Sequence, residues 1–261
     1  MDTSWSKADI HIHTAHSDGI AGVAAILEHV VQATDLRLIA ITDHDTVAGA
    51  FEARRLARAF GIEVVIGEEV STAEGHLLAL FIERWLPPGR PAAETIAAVH
   101  AQGGLCIPAH PFDALVPSMG HAGLGRRCAG PRAGEWPVDG VEVFNATLLW
   151  RNSNRQAGAV SAALGLAPCG GSDAHSLATV GRGYTVFPGT SADDLYRAIQ
   201  RGQTQAGGRH WRLHHFLAVG AHRIRERWRR RRGQVALLPV VDPGLDREPL
   251  FGVEPALGLE P

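Results

Sequence analysis

From the N-terminus to about residue 205, short apolar runs alternate with longer amphipathic ones, and that rhythm narrows the folds open to the chain. The runs at 9–13, 37–42, 63–66, 76–81, 105–108, 138–144, 167–170 and 183–187 are β-branched-rich or bounded by Gly and Pro, as buried strands are. Between them the spacing predicts helices over 23–33, 48–60, 92–101, 151–164 and 192–200. Asp45 and Thr46 precede the second helix, and Ser191 with Asp193 and Asp194 opens the last, as start signals should. Gly61, Gly165 and Gly202 stand where C-caps fall. Such alternation implies a parallel α/β architecture, for which a barrel is the economical closure.

Two regions break the rhythm. Residues 113–137 are rich in Gly, Pro and Arg without periodicity, and read as a long loop over the barrel mouth. Between 209 and 232 nine arginines face a single acid, Glu226, so this stretch carries +8 while the whole chain carries only −2. The rest is therefore acidic, at −10. The expected organisation is a folded body over 5–205, a basic helical segment over 206–232, and a poorly ordered tail over 233–261.

Composition removes several classes. With 45% hydrophobic residues the chain can build a core, and no apolar run approaches the ~18 residues of a membrane span. The opening MDTSWSKADIHIHT has no apolar stretch of the secretory kind. Cys106, Cys128 and Cys169 are odd in number and widely spaced, which argues against a disulfide framework and for a reducing, cytoplasmic setting.

The polar residues carry the chemistry. In Asp9-Ile10-His11-Ile12-His13, strand alternation puts Asp9, His11 and His13 on one face, and two adjacent imidazoles can share an ion. Asp18 follows. Thr42-Asp43-His44-Asp45 closes the second strand, Glu68-Glu69 the third, and His76 opens the fourth. The fifth ends in Pro108-Ala109-His110-Pro111, the sixth carries Glu142, and Ser172-Asp173-Ala174-His175 follows the seventh. In a parallel barrel such ends converge on one face, where a multi-metal site would form.

The series HxH…D, TDHD, GxE, PAHP and SDAH resembles the polymerase and histidinol phosphatase (PHP) family of metal-dependent phosphoesterases, in the family's order and over nearly all of residues 8–205. Gly67-Glu68-Glu69-Val70-Ser71 linked to Gly75-His76 is similar to the TrpH-like subgroup, whose members act on nucleotides and short RNA. The resemblance implies a distorted (β/α)7 TIM-like barrel with up to three divalent ions, and this chain adds a C-terminal basic helix and an irregular tail. One ion would take His11, His13, Glu69 and Asp173, with Glu69 bridging to a second held by His76 and His110. A third would take Asp18, His44 and His175. The family's Gly-x-Glu selects Glu69, leaving Glu68 solvated or behind the ligands, while Asp43 and Asp45 orient ligands.

Such a cluster would neutralise phosphate charge and lower the pKa of bound water toward ~7, so that a bridging hydroxide attacks phosphorus in line. Asp18, His44, Glu69 and His175 are the expected catalytic residues. Mn, Fe and Zn suit the mixed ligand set, with Mg also open, so two or three divalent ions are expected. Nothing supports a serine hydrolase, kinase or dinucleotide enzyme, since no GxSxG, P-loop or GxGxxG occurs in a suitable context.

Arg182, Asn145 and Glu142 are candidate substrate contacts at the same mouth, and Arg126, Arg127 and Arg132 of the long loop read as solvated. His16, His29 and His100 read as surface or packing residues. No role is assigned to His121, and the histidines of the basic segment are not assigned to metal. That segment mixes Trp211, Phe216, Val219 and Trp228 with its arginines. Docking on the barrel, contact with RNA and contact with an anionic surface are its three readings. The expected activity is hydrolysis of a small phosphorylated substrate, a nucleotide such as a nucleoside 3′,5′-bisphosphate or a short oligoribonucleotide. Histidinol-phosphate phosphatase is the rival activity, and a non-catalytic metal- or nucleic-acid-binding module the rival class.

Overall fold

The computed structural model describes residues 4–120, 123–124, 136–147 and 151–231. Its strands are β1 (Trp5–Asp9), β2 (Leu38–Ile41), β3 (Glu63–Thr72), β4 (Gly75–Leu80), β5 (Leu105–Pro108), β6 (Gly140–Asn145), β7 (Ala167–Gly171), β8 (Gly183–Pro188) and β9 (Gln205–Gly208). The helices are α1 (Val23–Ala33), α2 (Ala48–Phe60), α3 (Ala92–His100), α4 (Arg151–Leu164), α5 (Ala192–Gln200) and α6 (Leu213–Arg231).

Seven strands form one curled mixed sheet in the order β5-β4-β3-β2-β1-β8-β9, and β6 pairs with β7 in a second. The expected all-parallel barrel is therefore corrected. β1, β2 and β3 run parallel, but β4 is antiparallel to both β3 and β5, and β8 is antiparallel to both β1 and β9. Among the described residues no single hydrogen-bonded ring closes. The physical reason is loop length. Only Ala73 and Glu74 separate β3 from β4, a turn that permits a hairpin and no crossover helix.

Burial on both faces explains the apolar strands. In β2, Leu38 and Ala40 pack in a cluster with Ile10, Leu80, Ile107 and Phe187, while Ile39 and Ile41 pack with Ile26 and Leu27 of α1. Every residue of β2 is consequently buried. Ser191 caps α5 by accepting the Asp194 N–H, and Asp194 reciprocates. The signal before α2 works differently, because Val47 is the N-cap while Thr46 Oγ1 accepts the Ala48 N–H.

The region expected as a loop over the mouth also contributes to the core. Met119, Leu124 and Trp136 are buried within it. Arg126, Arg127, Arg132, His121, Cys128 and the tail over 233–261 lie outside the described residues. The C-terminal segment begins as strand β9 rather than as helix, and α6 docks through Val219 and Phe216 beside the preceding Trp211, against Ala146 and Phe144. No described helix is long and apolar enough to cross a membrane.

Candidate metal centre

The antiparallel pairing places one residue that a parallel barrel would misplace. His76 lies at the N-terminal end of β4, and the reversal of β4 brings that end level with the C-terminal end of β3, where Glu69 lies. His110 follows β5, which runs parallel to β3 and ends on the same face. The loop Ser172–His175 follows β7 and is pinned to β1, because Asp9 accepts the Ser172 and Gly181 N–H groups at 2.9 and 2.8 Å. Burial pushes the Asp9 carboxyl up to about 6 despite these donors.

Glu69 is the hub. Its Oε2 lies 3.1 Å from His11 Nε2, 3.1 Å from His13 Nε2 and 3.4 Å from His44 Nδ1. Its Oε1 lies 2.9 Å from His76 Nδ1 and 3.0 Å from His110 Nε2. One carboxylate thus faces two sets of imidazoles, one with each oxygen. Asp173 Oδ1 stands 3.6 Å from His11 Nε2 and 3.3 Å from His13 Nε2. Asp18 Oδ1 stands 3.1 Å from His175 Nε2 and 3.7 Å from His13 Nδ1.

These donors fit divalent ions. His13, Asp18, His44 and His175 offer ligand atoms within 4.8 Å of one another, as do His11, His13 and Asp173, and also His44, Glu69 and His76. Several of these atoms, including His13 Nε2, Asp18 Oδ1, His76 Nδ1 and His175 Nε2, are buried and make no hydrogen bond among the described residues. His13 Nε2 lies close to two carboxylate oxygens without donor–acceptor geometry, as ligands converging on a common ion do. Eight of the nine expected ligands fall in these groups, with His13 and His44 each shared between two of them, and the ninth, His110, joins through Glu69 Oε1.

The site's electrostatics are those of buried imidazoles and carboxylates packed against one another. Burial opposes charge on His13, yet Asp173 and Glu69 outweigh it and hold the imidazole up at about 10. Burial likewise works against Glu69 and Asp173, and the surrounding histidines hold both carboxyls well below their usual range. His44 is depressed, by burial first. The backbone carries strain as well, since His110 and Asp173 adopt positive φ values of 29° and 50°.

A surrounding layer holds the ligands. His11 Nδ1 faces Glu142 Oε1 at 3.0 Å, while Glu142 Oε2 accepts the His110 N–H at 2.6 Å and the Asn145 amide at 3.0 Å. Asn145 also donates to Asp173 Oδ2 and accepts from Thr147. Gly171 permits this approach, because a Cβ there would lie 2.5 Å from His11 Cβ and 2.6 Å from Glu142 Oε1. Asp43 takes the Thr14 N–H and the Thr14 and Ser17 hydroxyls, so it shapes the turn that delivers Asp18. Asp45 does the same for Ser71. Glu68, expected in solvent or behind the ligands, is fully buried and accepts the Leu86 N–H, so the solvated alternative is removed.

Two residues absent from the expected site reach it from the C-terminal segment. Trp211 donates to Ser172 O at 3.1 Å and meets the His175 ring edge-on at 6.1 Å, and Arg223 pairs with Asp18 Oδ2. Arg182 is held outside the cluster, with Nε on Ala178 O. His100, read as a surface or packing residue, contacts Asp139 at 2.9 Å in a small group with Cys106.

The PHP domain model matches residues 9–137, and the PHP-associated model matches residues 151–204. The chain belongs to the PHP family. The hydrolase reading rests on that membership. A protein of Methanocaldococcus jannaschii described as uncharacterized is 37% identical over 151 residues, 54% of this chain and 82% of that one. A 5′-3′ exoribonuclease of Haemophilus influenzae is 36% identical over 85 residues, 31% of each chain. A phosphoribosyl 1,2-cyclic phosphate 1,2-diphosphodiesterase of Eggerthella lenta is 39% identical over 85 residues, 30% of this chain and 32% of that one. A solved two-domain protein from Bacteroides vulgatus, containing a predicted PHP-like metal-dependent phosphoesterase, superposes with a TM-score of 0.65 at 19% identity. The match covers 79% of this chain and 66% of that one, and establishes the fold.

Proposed function

We propose that the chain hydrolyses a phosphoester of a nucleotide or short oligoribonucleotide, as a TrpH-like member of the PHP family acting in the cytoplasm. The observation that carries this reading is Glu69 facing two imidazole sets with its two oxygens, inside a ring of nine ligand-competent residues. Divalent ions held there would neutralise the phosphate and activate water for attack.

The chain's own residues have distinct tasks in this reading. His11, His13 and Asp173 form one wall, His76 and His110 a second, and Asp18, His44 and His175 a third at the more exposed rim. Asp18, His44, Glu69 and His175 border the reacting phosphate. Glu142 and Asn145 are fully buried with their polar atoms engaged, so we assign them to holding His11, His110 and Asp173 rather than to touching substrate. Arg182 is left as the substrate contact. The resemblance to an exoribonuclease and to a cyclic phosphodiesterase supports a nucleotidyl or sugar-phosphate substrate. Cys106 and Cys169, buried and free, suit a reducing compartment.

The test is a substrate panel with protein reconstituted in Mn²⁺: an aryl phosphate, histidinol phosphate, a nucleoside 3′,5′-bisphosphate and a short RNA. Release of phosphate or nucleotide from the last two is expected. Absence of turnover on the whole panel with Mn²⁺, Zn²⁺, Fe²⁺ and Mg²⁺ would overturn the reading.

A further inference from the structure

Behind the rim of the metal centre lies a cavity lined by several cationic side chains. The segment Gly208–Arg212 leaves β9 and runs along the rim, tied down by Arg209 N–H to Arg182 O at 2.6 Å and Trp211 N–H to Ala146 O at 2.8 Å. Trp211 faces the metal side, against His175. Its neighbours His210 and Arg212 line a separate cavity of about 740 Å³ between α1 and the β8–β9 hairpin. Arg182, Arg209 and Lys7 line the same space.

The charge there is not compensated. Asp35 is the one acidic residue of the lining, and it is occupied by Lys7 Nζ at 2.5 Å. Among the described residues, Arg182, Arg209 and Arg212 make no ion pair. Arg182 is nevertheless fixed, with Nε on Ala178 O at 3.0 Å and Nη1 on His210 O at 3.4 Å, which leaves Nη2 uncommitted. Burial first, and then the charges of Arg212 and Arg209, press its pKa down, as expected of cations held near one another. Arg209 and Arg212 are exposed and Arg182 half-buried, so water screens much of their mutual repulsion, and a multivalent anion joining the three guanidinium groups would offset what remains.

We propose that this cavity binds a phosphate-bearing ligand of nucleotide size through Arg182, Arg209 and Arg212. The volume lies within the roughly 300–1,000 Å³ range of small-molecule sites. Two sources share this chemistry: a phosphate of the substrate away from the cleaved bond, and a free nucleotide or pyrophosphate. The first deepens the function proposed above and rests on it. Binding itself does not.

The experiment uses the full chain in EDTA, where no metal-dependent turnover occurs and no bound metal contributes to phosphate affinity. Fluorescence anisotropy of a labelled pentaribonucleotide and calorimetry with inorganic pyrophosphate compare wild type, Arg209→Ala/Arg212→Ala and a control, Arg225→Ala. For the double variant we expect at least a tenfold loss of affinity, and for RNA a log–log salt slope shallower by about 1–1.5. Loss in the RNA arm assigns the site to the substrate's own phosphates. Loss in the pyrophosphate arm alone assigns it to a free ligand. Unchanged affinity in both arms overturns the proposal, as does an equal loss in Arg225→Ala, which would trace binding to the overall charge of the segment. If wild type with Mn²⁺ fails on the substrate panel while the double variant loses binding, the hydrolase reading falls and the anion site stands. The converse pair of results fells the site alone.

Discussion

The guanidinium of Arg223 pairs with Asp18 Oδ2, while Oδ1 of the same carboxylate turns inward to His175. The C-terminal helix therefore touches the rim of the metal centre through a candidate ligand, and both partners remain partly exposed. A cation held beside that carboxylate competes with any metal for its charge. Arg223→Ala should tighten binding of the rim ion by up to about fivefold, the upper range for a part-exposed ion pair. Competition of Mn²⁺ with a chelating dye would read this directly, and unchanged or weaker binding would show that the pair serves only to dock the helix.

Glu142 fixes the ring of His11 from behind. Glu142→Gln keeps the shape and removes the charge that holds the Nδ1 proton, so it should weaken metal binding by about 10–100-fold. Equilibrium dialysis against Mn²⁺ checks the loss. Wild-type affinity in the variant would place Glu142 outside the support of the site.

Metal uptake should release protons. In the metal-free protein His13 is held up at about 10, so at pH 7 it is charged and must give up a proton to become a ligand. The sign follows from the raised value: pairing of His13 with Asp173 and Glu69 stabilises the metal-free fold below about pH 6.5, and that contribution fades as pH climbs toward 10. Metal affinity should rise over the same window. Calorimetric titration with Mn²⁺ in buffers of different ionisation enthalpy should show at least one proton released per chain, whereas an observed enthalpy independent of buffer contradicts it.

Trp211 links the C-terminal segment to the loops that follow β6 and β7. It is buried, packs against Phe216, and donates to Ser172 O beside the ligand loop. Trp211→Ala should cost about 3–5 kcal/mol by loss of packing, and should expose α6 to protease before the body unfolds. Simultaneous loss of both parts in limited proteolysis would show that the helix is not separately anchored.

Much of this site was legible in the sequence because its ligands follow strands, and strand ends announce themselves by the change from apolar runs to HxH, TDHD, PAHP and SDAH. What the sequence hid follows from pairing direction and distance. His76 belongs at the mouth only because a two-residue turn reverses β4, and a parallel reading leaves that placement unexplained. Strand β9, with the sequence Gln205-Ala206-Gly207-Gly208, has no apolar alternation, so nothing in its pattern separates it from the helical segment. Strand alternation makes Asp9 a third member of the HxH face, yet its carboxylate accepts the Ser172 and Gly181 N–H groups. Arg223 reaches Asp18 across 205 residues of chain, a contact that no local pattern encodes.

The account turns on Glu69 as the carboxylate shared by two groups of histidines. The most direct measurement is metal content per chain, by elemental analysis after Mn²⁺ reconstitution and desalting, for wild type and Glu69→Gln. We predict two or three ions in wild type and the loss of at least one in the variant, with its other ligands intact. Equal stoichiometry in both proteins, or none in wild type, would contradict the account.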